Sequence, residues 1–150
     1  MMMNKIRIIT IGKVKNSSIK FEIDDLIKRL KRVEIIELKE VKDSNEVKLK
    51  EKEFDLFRKY VEDNSYESFL LWEFGREYTT EEFYNKISKF QGNMQFFITG
   101  AYGPNDEFKL KVKNHLSLSK MTFTHEQAQY MLIEQLYRVH CFENNINYTK

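Results

Sequence analysis

With 150 residues, 41% of them apolar, the chain is long enough for one compact domain with a real core, and its composition excludes a fibrous or disordered polymer. A lone cysteine, Cys141, excludes an internal disulfide, and no apolar run approaches the roughly 18 to 20 residues of a membrane-spanning helix. No charged, apolar and small-residue leader opens the chain, so a cytoplasmic protein without a membrane partner is expected. The 25 basic and 23 acidic side chains leave a net charge of +2, too little for bulk electrostatics to announce a nucleic-acid binder. Basic residues cluster in Lys28-Arg29-Leu30-Lys31-Arg32 and at Lys109, Lys111 and Lys113, where phosphate contact competes with the simpler reading of a solvated helix face.

Short β-rich apolar runs alternate with longer amphipathic stretches, the pattern of strands joined by crossover helices in a parallel α/β sheet. The first strand is Ile6 to Ile11, followed by Gly12. Ser17 or Ser18 is placed to cap a helix running to about Arg32, with Phe21, Leu26, Ile27 and Leu30 inward. Val33 to Leu38 is the second strand, and the charged segment from about Asn45 to Asp63 spaces Val47, Phe54, Phe57 and Val61 as a one-sided helix. Ser68 to Trp72, apolar enough for burial on both faces, reads as a central strand ending at Gly75. Thr79 and Glu82 make a capping-box pattern ahead of a helix carrying Phe83, Ile87 and Phe90, which Gly92 closes. Met94 to Thr99 forms the fourth strand, a short helix spans about Asn105 to Lys113, and Leu116 to Ser119 is a fifth strand too short and polar for the centre of a core. Thr124 and Gln127 repeat the capping-box spacing before a last helix to about Phe142. Ala128, Met131, Leu132, Leu136 and Val139 form one stripe of that helix, and Tyr130, Glu134, Tyr137, Arg138 and Cys141 form another.

In open parallel sheets, ligands bind beyond the carboxyl ends of the strands, so the loops after Leu71, Thr99 and Ser119 are the expected pocket. Gly100-Ala101-Tyr102-Gly103 permits tight backbone geometry but lacks both the three-glycine dinucleotide fingerprint and a lysine-threonine phosphate cradle; taken alone, such a loop is more often just a turn. His125 at a helix entrance suits a base or a phosphate contact, although a lone histidine there is more often a surface residue. The histidines and Cys141 have no metal-ligand spacing, so no metal is expected, and there is no nucleophile-elbow motif for serine hydrolysis. Glu134 and Arg138, four apart, are by default a surface ion pair, and the Tyr130 and Tyr137 stripe suits either a dimer interface or stacking on bases.

Three blocks give these loops an identity: Phe97-Ile98-Thr99-Gly100-Ala101-Tyr102-Gly103, Leu116 through His125, and Leu132-Ile133-Glu134-Gln135-Leu136-Tyr137-Arg138. In content, order and spacing they resemble the RlmH family, small SPOUT-class methyltransferases that modify N3 of a pseudouridine in large-subunit ribosomal RNA. Leu71 through Gly75 with Thr79 to Phe83, and Gly12-Lys13-Val14-Lys15 near the start, extend the resemblance more thinly over nearly the whole chain. It implies a single domain over residues 1–150 whose five-stranded, mostly parallel sheet has helices on both faces and whose C-terminal segment threads a trefoil knot, an exception to the usual rule of unknotted chains.

The resemblance further implies that S-adenosylmethionine is held by Leu71, by Thr99, Gly100 and Gly103, and by Leu118, Ser119, Lys120, Met121, Thr122 and Phe123. It implies a homodimer built on the last helix, with Arg138 shaping the site, His125 beside it, and Tyr148 and Lys150 of the tail approaching the target base. The partner would be large-subunit RNA or the assembled ribosome, with no DNA. Transfer from a sulfonium would need in-line positioning and loss of an imide proton acidic enough for a weak base. The chain departs from the family pattern at Thr99, Trp72, Thr124, Gln129 and Thr149, where a glycine, an acid, a proline, an arginine and a histidine are usual. Gln129 and Thr149 motivate two alternatives, a cofactor-binding dimer without transfer and a methyltransferase for another RNA.

Overall fold

The computed structural model describes residues 4–148. Within them, strands and helices alternate strictly: β1 (Ile6–Ile11), α1 (Ser17–Leu30), β2 (Val33–Leu38), α2 (Glu46–Val61), β3 (Tyr66–Glu77), α3 (Thr80–Lys89), β4 (Asn93–Ile98), α4 (Asp106–Lys111), β5 (Asn114–Ser117) and α5 (His125–Glu143). Each helix begins at a residue whose side-chain oxygen accepts a backbone N–H three positions on, which satisfies one of the donors a helix start leaves open. Both expected capping boxes close, Thr79 with Glu82 and Thr124 with Gln127. The cap of α1 is Asn16, however, and not Ser17 or Ser18, because the Asn16 carboxamide is the group that reaches the Ile19 amide, at 3.1 Å. That helix also stops at Leu30, since Lys31 turns into the left-handed region at φ 59°.

The strands order as β2-β1-β4-β3-β5, and every pairing is parallel. Alternate side chains feed two separate cores. On one face Ile6, Ile8, Phe69, Leu71, Phe96 and Ile98 pack under α1, α3 and α5; on the other Ile9, Ile11, Leu70 and Phe97 pack under Phe54 and Phe57 of α2 and Phe108 of α4. The expected α/β sheet with helices on both faces is thus observed. Within α1 the inward row is Ile23, Leu26 and Leu30, while Phe21, expected inside, lies roughly 200° round the helix from Ile23 and is exposed. Val47 of α2 is likewise exposed, and Phe54 and Phe57 alone of that expected stripe are fully buried.

Two strands differ from expectation in ways that shape the site. β5 is Asn114–Ser117, shifted toward the N-terminus because Asn114, His115 and Leu116 pair with Phe69, Leu70 and Leu71. β3 does not end at Gly75 but continues to Glu77, with a bulge between Leu71 and Arg76, both of which oppose Leu116. A Cβ on Gly75 would fall 2.6 Å from the Leu116 backbone, so only glycine lets the strand return to β5 after bulging out.

Candidate functional site

The carboxyl ends of β3, β4 and β5 open onto a cavity of about 1020 Å³. Its walls come from the bulge (Leu71 to Phe74), the turn after β4 (Ile98 to Pro104) and the segment after β5 (Leu118, Ser119 and Met121 to Phe123). The first turn of α5, from His125 to Ala128, adds another side, and Asn16, the cap of α1, Ile19 in its first turn and Lys50 of α2 complete the rim. Residues expected from separate stretches of the sequence are therefore brought together: Leu71, Thr99, Gly100, Gly103, Leu118, Ser119, Met121, Thr122, Phe123 and His125 all line one cavity. Lys120 does not. Its side chain is 88% exposed and its ammonium lies 4.0 Å from Glu77.

The walls are fastened to each other through polar groups. Ser117 Oγ donates to the carbonyls of Glu73 (3.1 Å) and Ser119 (2.8 Å), and the Thr122 hydroxyl donates to the Glu73 carboxylate at 2.9 Å. The third wall is thus latched to the bulge. The Glu126 carboxylate accepts the backbone amides of Lys15 and Asn16, both at 3.1 Å, and tethers the β1–α1 connection to α5. Those two N–H groups and the neighbouring His125 hold the Glu126 carboxyl below the ordinary glutamate value. The turn after β4 closes on itself, with the Gly103 amide donating to the Gly100 carbonyl at 3.1 Å; Gly103 has φ 80°, which favours glycine.

Trp72, where the family pattern has an acid, stands in the cavity wall as the hub of a small cluster. Its indole N–H donates to His115 Nδ1 at 3.2 Å, and the other ring nitrogen of His115 lies 2.7 Å from the Val112 carbonyl, so His115 is the tautomer protonated on Nε2. The Lys109 ammonium lies 4.6 Å from the Trp72 ring centroid, and the exposed Phe74 ring meets the indole edge-on. Of the basic residues singled out, only Lys109 reaches the cavity. Lys111 pairs with Glu107, Arg29 with Asp25, and Arg32 with Glu143. Asn16, Ile19, Lys50 and Phe74 have no sequence signal of their own, because tertiary folding alone carries them to the rim. Among the described residues no cluster of three or more His, Cys, Asp or Glu side chains is arranged to hold a metal ion.

The remaining predicted residues gather elsewhere. Arg138 Nε donates to both Glu134 carboxylate oxygens, at 2.8 and 3.1 Å, and its guanidinium lies 4.9 Å from the Tyr148 ring. Tyr148 meets Tyr137 edge-on at 5.0 Å. Partial burial and then Glu134 push the Tyr148 phenol above its ordinary value, so at neutral pH it is a hydrogen-bond donor and not a phenolate base. Tyr137 and Cys141 are buried within the chain, so the second stripe of α5 is only partly a free face. Gln129 is buried as well, at 2% exposure, and so takes part in the packing of its own chain. Arg138 is 13 residues along α5 from His125, about 20 Å at the helical rise, so within one chain Arg138, and Tyr148 packed beside it, stand away from the cavity edge at His125. Lys150 lies outside the described residues.

A cavity at the carboxyl edge of a parallel sheet, walled by three loops and the start of a last helix, is the architecture of a small-molecule-binding α/β enzyme. The chain belongs to the SPOUT methyltransferases: the family model described as predicted SPOUT methyltransferase matches residues 3–149. More particularly, it is 34% identical over 158 aligned positions to the ribosomal RNA large subunit methyltransferase H of Clostridium tetani, covering 97% of this chain and 99% of that protein. Among solved structures it is similar in fold to a probable methylase family protein from Haemophilus influenzae (TM-score 0.64, 17% identity), covering 97% of this chain and 68% of the other. A Legionella pneumophila methyltransferase solved with S-adenosylmethionine bound has TM-score 0.54 at 13% identity, over 91% and 66% of the two chains.

Proposed function

We propose that this chain is a single-domain enzyme of the cytoplasm that transfers the methyl group of S-adenosylmethionine to RNA, the target being N3 of a pseudouridine in the large ribosomal subunit. The observation that carries this reading is the convergence of the three loops on one cavity, in a chain 97% of which aligns with a large-subunit RNA methyltransferase. The cavity suits the cofactor. Its volume is at the upper end of the roughly 300–1,000 Å³ typical of small-molecule sites. Leu71, Ile98 and Leu118 offer apolar walls to an adenine ring, and the tight turn from Thr99 to Gly103 presents backbone amides and carbonyls at close range. Ser119, Met121, Thr122 and Phe123 would close the third side. When bound, the cofactor supplies an electrophilic sulfonium methyl.

The chain's own work is then to orient donor and acceptor and to exclude water. His125, at the cavity edge, is positioned to contact the RNA, and the exposed Phe74, Tyr102 and Met121 with Lys109 make a rim suited to unstacked bases and phosphate. Arg138, Tyr148 and Lys150 would complete the target side from the partner chain of a homodimer; this reading is supported by the separation of about 20 Å within one chain. The knot, if the C-terminal segment threads the turn after β4, would hold the walls together without a lid. Calorimetry tests the cofactor half: one S-adenosylmethionine should bind per chain, and light scattering should report a dimer. Failure to bind the cofactor would overturn the proposal.

A further inference from the structure

Beneath the cofactor turn lies a carboxylate that lines no part of the cavity. Glu53 of α2 is 7% exposed, on a helix whose neighbouring Phe54 and Phe57 are fully buried, and it has no ion-pair partner among the described residues. It faces the backbone of Gly100 so closely that a Cβ there would fall 2.4 Å from Glu53 Oε2 and 3.0 Å from its carboxyl carbon. A buried carboxylate set against the Gly100 backbone is costly to keep, because desolvation penalises the charge; this burial pushes the Glu53 carboxyl up, while the polar backbone of Gly100 and Lys50 partly oppose the shift and Glu40 reinforces it. Glutamine would have nearly the same shape without the charge. A helix that keeps a desolvated charge in this position, directly under the turn that forms one wall of the site, holds it at the expense of stability.

We propose that Glu53 is a positioning residue for the cofactor: its carboxylate holds the Gly100 amide from below and so fixes the Thr99 to Gly103 turn against which S-adenosylmethionine binds. The proposal rests on the cofactor reading above. It also explains why position 100 is glycine although its φ is not in the left-handed region: the space for a side chain is occupied by the Glu53 carboxylate.

Two variants and a cycle test this on the full chain, with S-adenosylmethionine as the calorimetric ligand and thermal melting alongside. Glu53→Gln should melt at a higher temperature at neutral pH, having lost an unpaired buried charge, and yet bind the cofactor about tenfold more weakly, because a neutral acceptor holds the amide less firmly. A merely structural role would move both quantities the same way. Gly100→Ala should weaken binding, and Glu53→Ala combined with Gly100→Ala should recover part of that loss, since the methyl then has room. In methyl transfer, Glu53→Gln should raise KM for the cofactor and leave kcat nearly unchanged. Unaltered cofactor affinity in Glu53→Gln, or affinity and melting temperature falling together, would overturn the role of Glu53 while wild-type binding keeps the site assignment intact. Failure of the wild-type chain to bind S-adenosylmethionine would overturn both.

Discussion

The cavity and the far end of α5 are built on different principles. The cavity is walled by three loops of one chain, and these walls are tied by Ser117, Thr122 and Glu126 to neighbouring segments. At the far end, Glu134, Arg138, Tyr137 and Tyr148 pair with one another and leave Tyr148 partly exposed. A site made from backbone is sensitive to side-chain bulk at its glycines and tolerant of side-chain chemistry around it. A cluster made from side chains that pair with one another has the opposite sensitivity, and its exposed member, Tyr148, is where a second chain or an RNA has something to meet.

This contrast can be broken experimentally. The largest effect should come from Gly100→Val, whose branched side chain would have to displace the Glu53 carboxylate; cofactor affinity measured by calorimetry should fall at least about a hundredfold with the oligomeric state unchanged. Undiminished affinity would remove the turn after β4 from the site. Next, a chain ending at Asn147 should bind cofactor normally and transfer methyl to RNA about tenfold more slowly or worse, as expected when a positioning group is lost. Full transfer by that chain would remove Tyr148 and Lys150 from the target side.

Arg138→Ala removes the partner of a largely buried Glu134 carboxylate and should cost about 1–2 kcal/mol, read as a melting-temperature drop of several degrees. An unchanged melting temperature would mean that the pair adds nothing within one chain. The smallest effect belongs to Glu126. Its carboxyl is held below the ordinary glutamate value, so its contribution is present at neutral pH and lost as pH falls through the carboxylate range. Because this group sits at the surface and is only partly buried, Glu126→Gln should flatten the acid side of the stability profile only slightly, and a profile identical to wild type would deny the tether a stabilising role.

What was legible in the sequence follows the range of the forces involved. Capping boxes at Thr79 and Thr124 need only residues three apart, and the alternation of β-branched runs with amphipathic stretches identifies the sheet, so elements and topology class were readable locally. The bulge of β3 was not, because it arises where Leu71 and Arg76 both oppose Leu116 of a strand far along the chain. Phe21 illustrates a different miss: an aromatic residue at plausible spacing was assigned inward, whereas the row of Ile23, Leu26 and Leu30 filled the available face. The residues grouped for the cofactor by motif resemblance line one cavity, except Lys120, whose side chain points outward. Glu53 was invisible among the charges of α2, since only the fold sets its carboxylate beneath Gly100.

Methyl transfer itself is the most direct test of the account. Large ribosomal subunits incubated with this protein and methyl-labelled S-adenosylmethionine should acquire label in their RNA, and mapping of the modified nucleotide should locate it at N3 of a pseudouridine. Absence of label from that RNA, in a preparation that still binds the cofactor, would contradict the assignment and leave a cofactor-binding protein without that transferase activity.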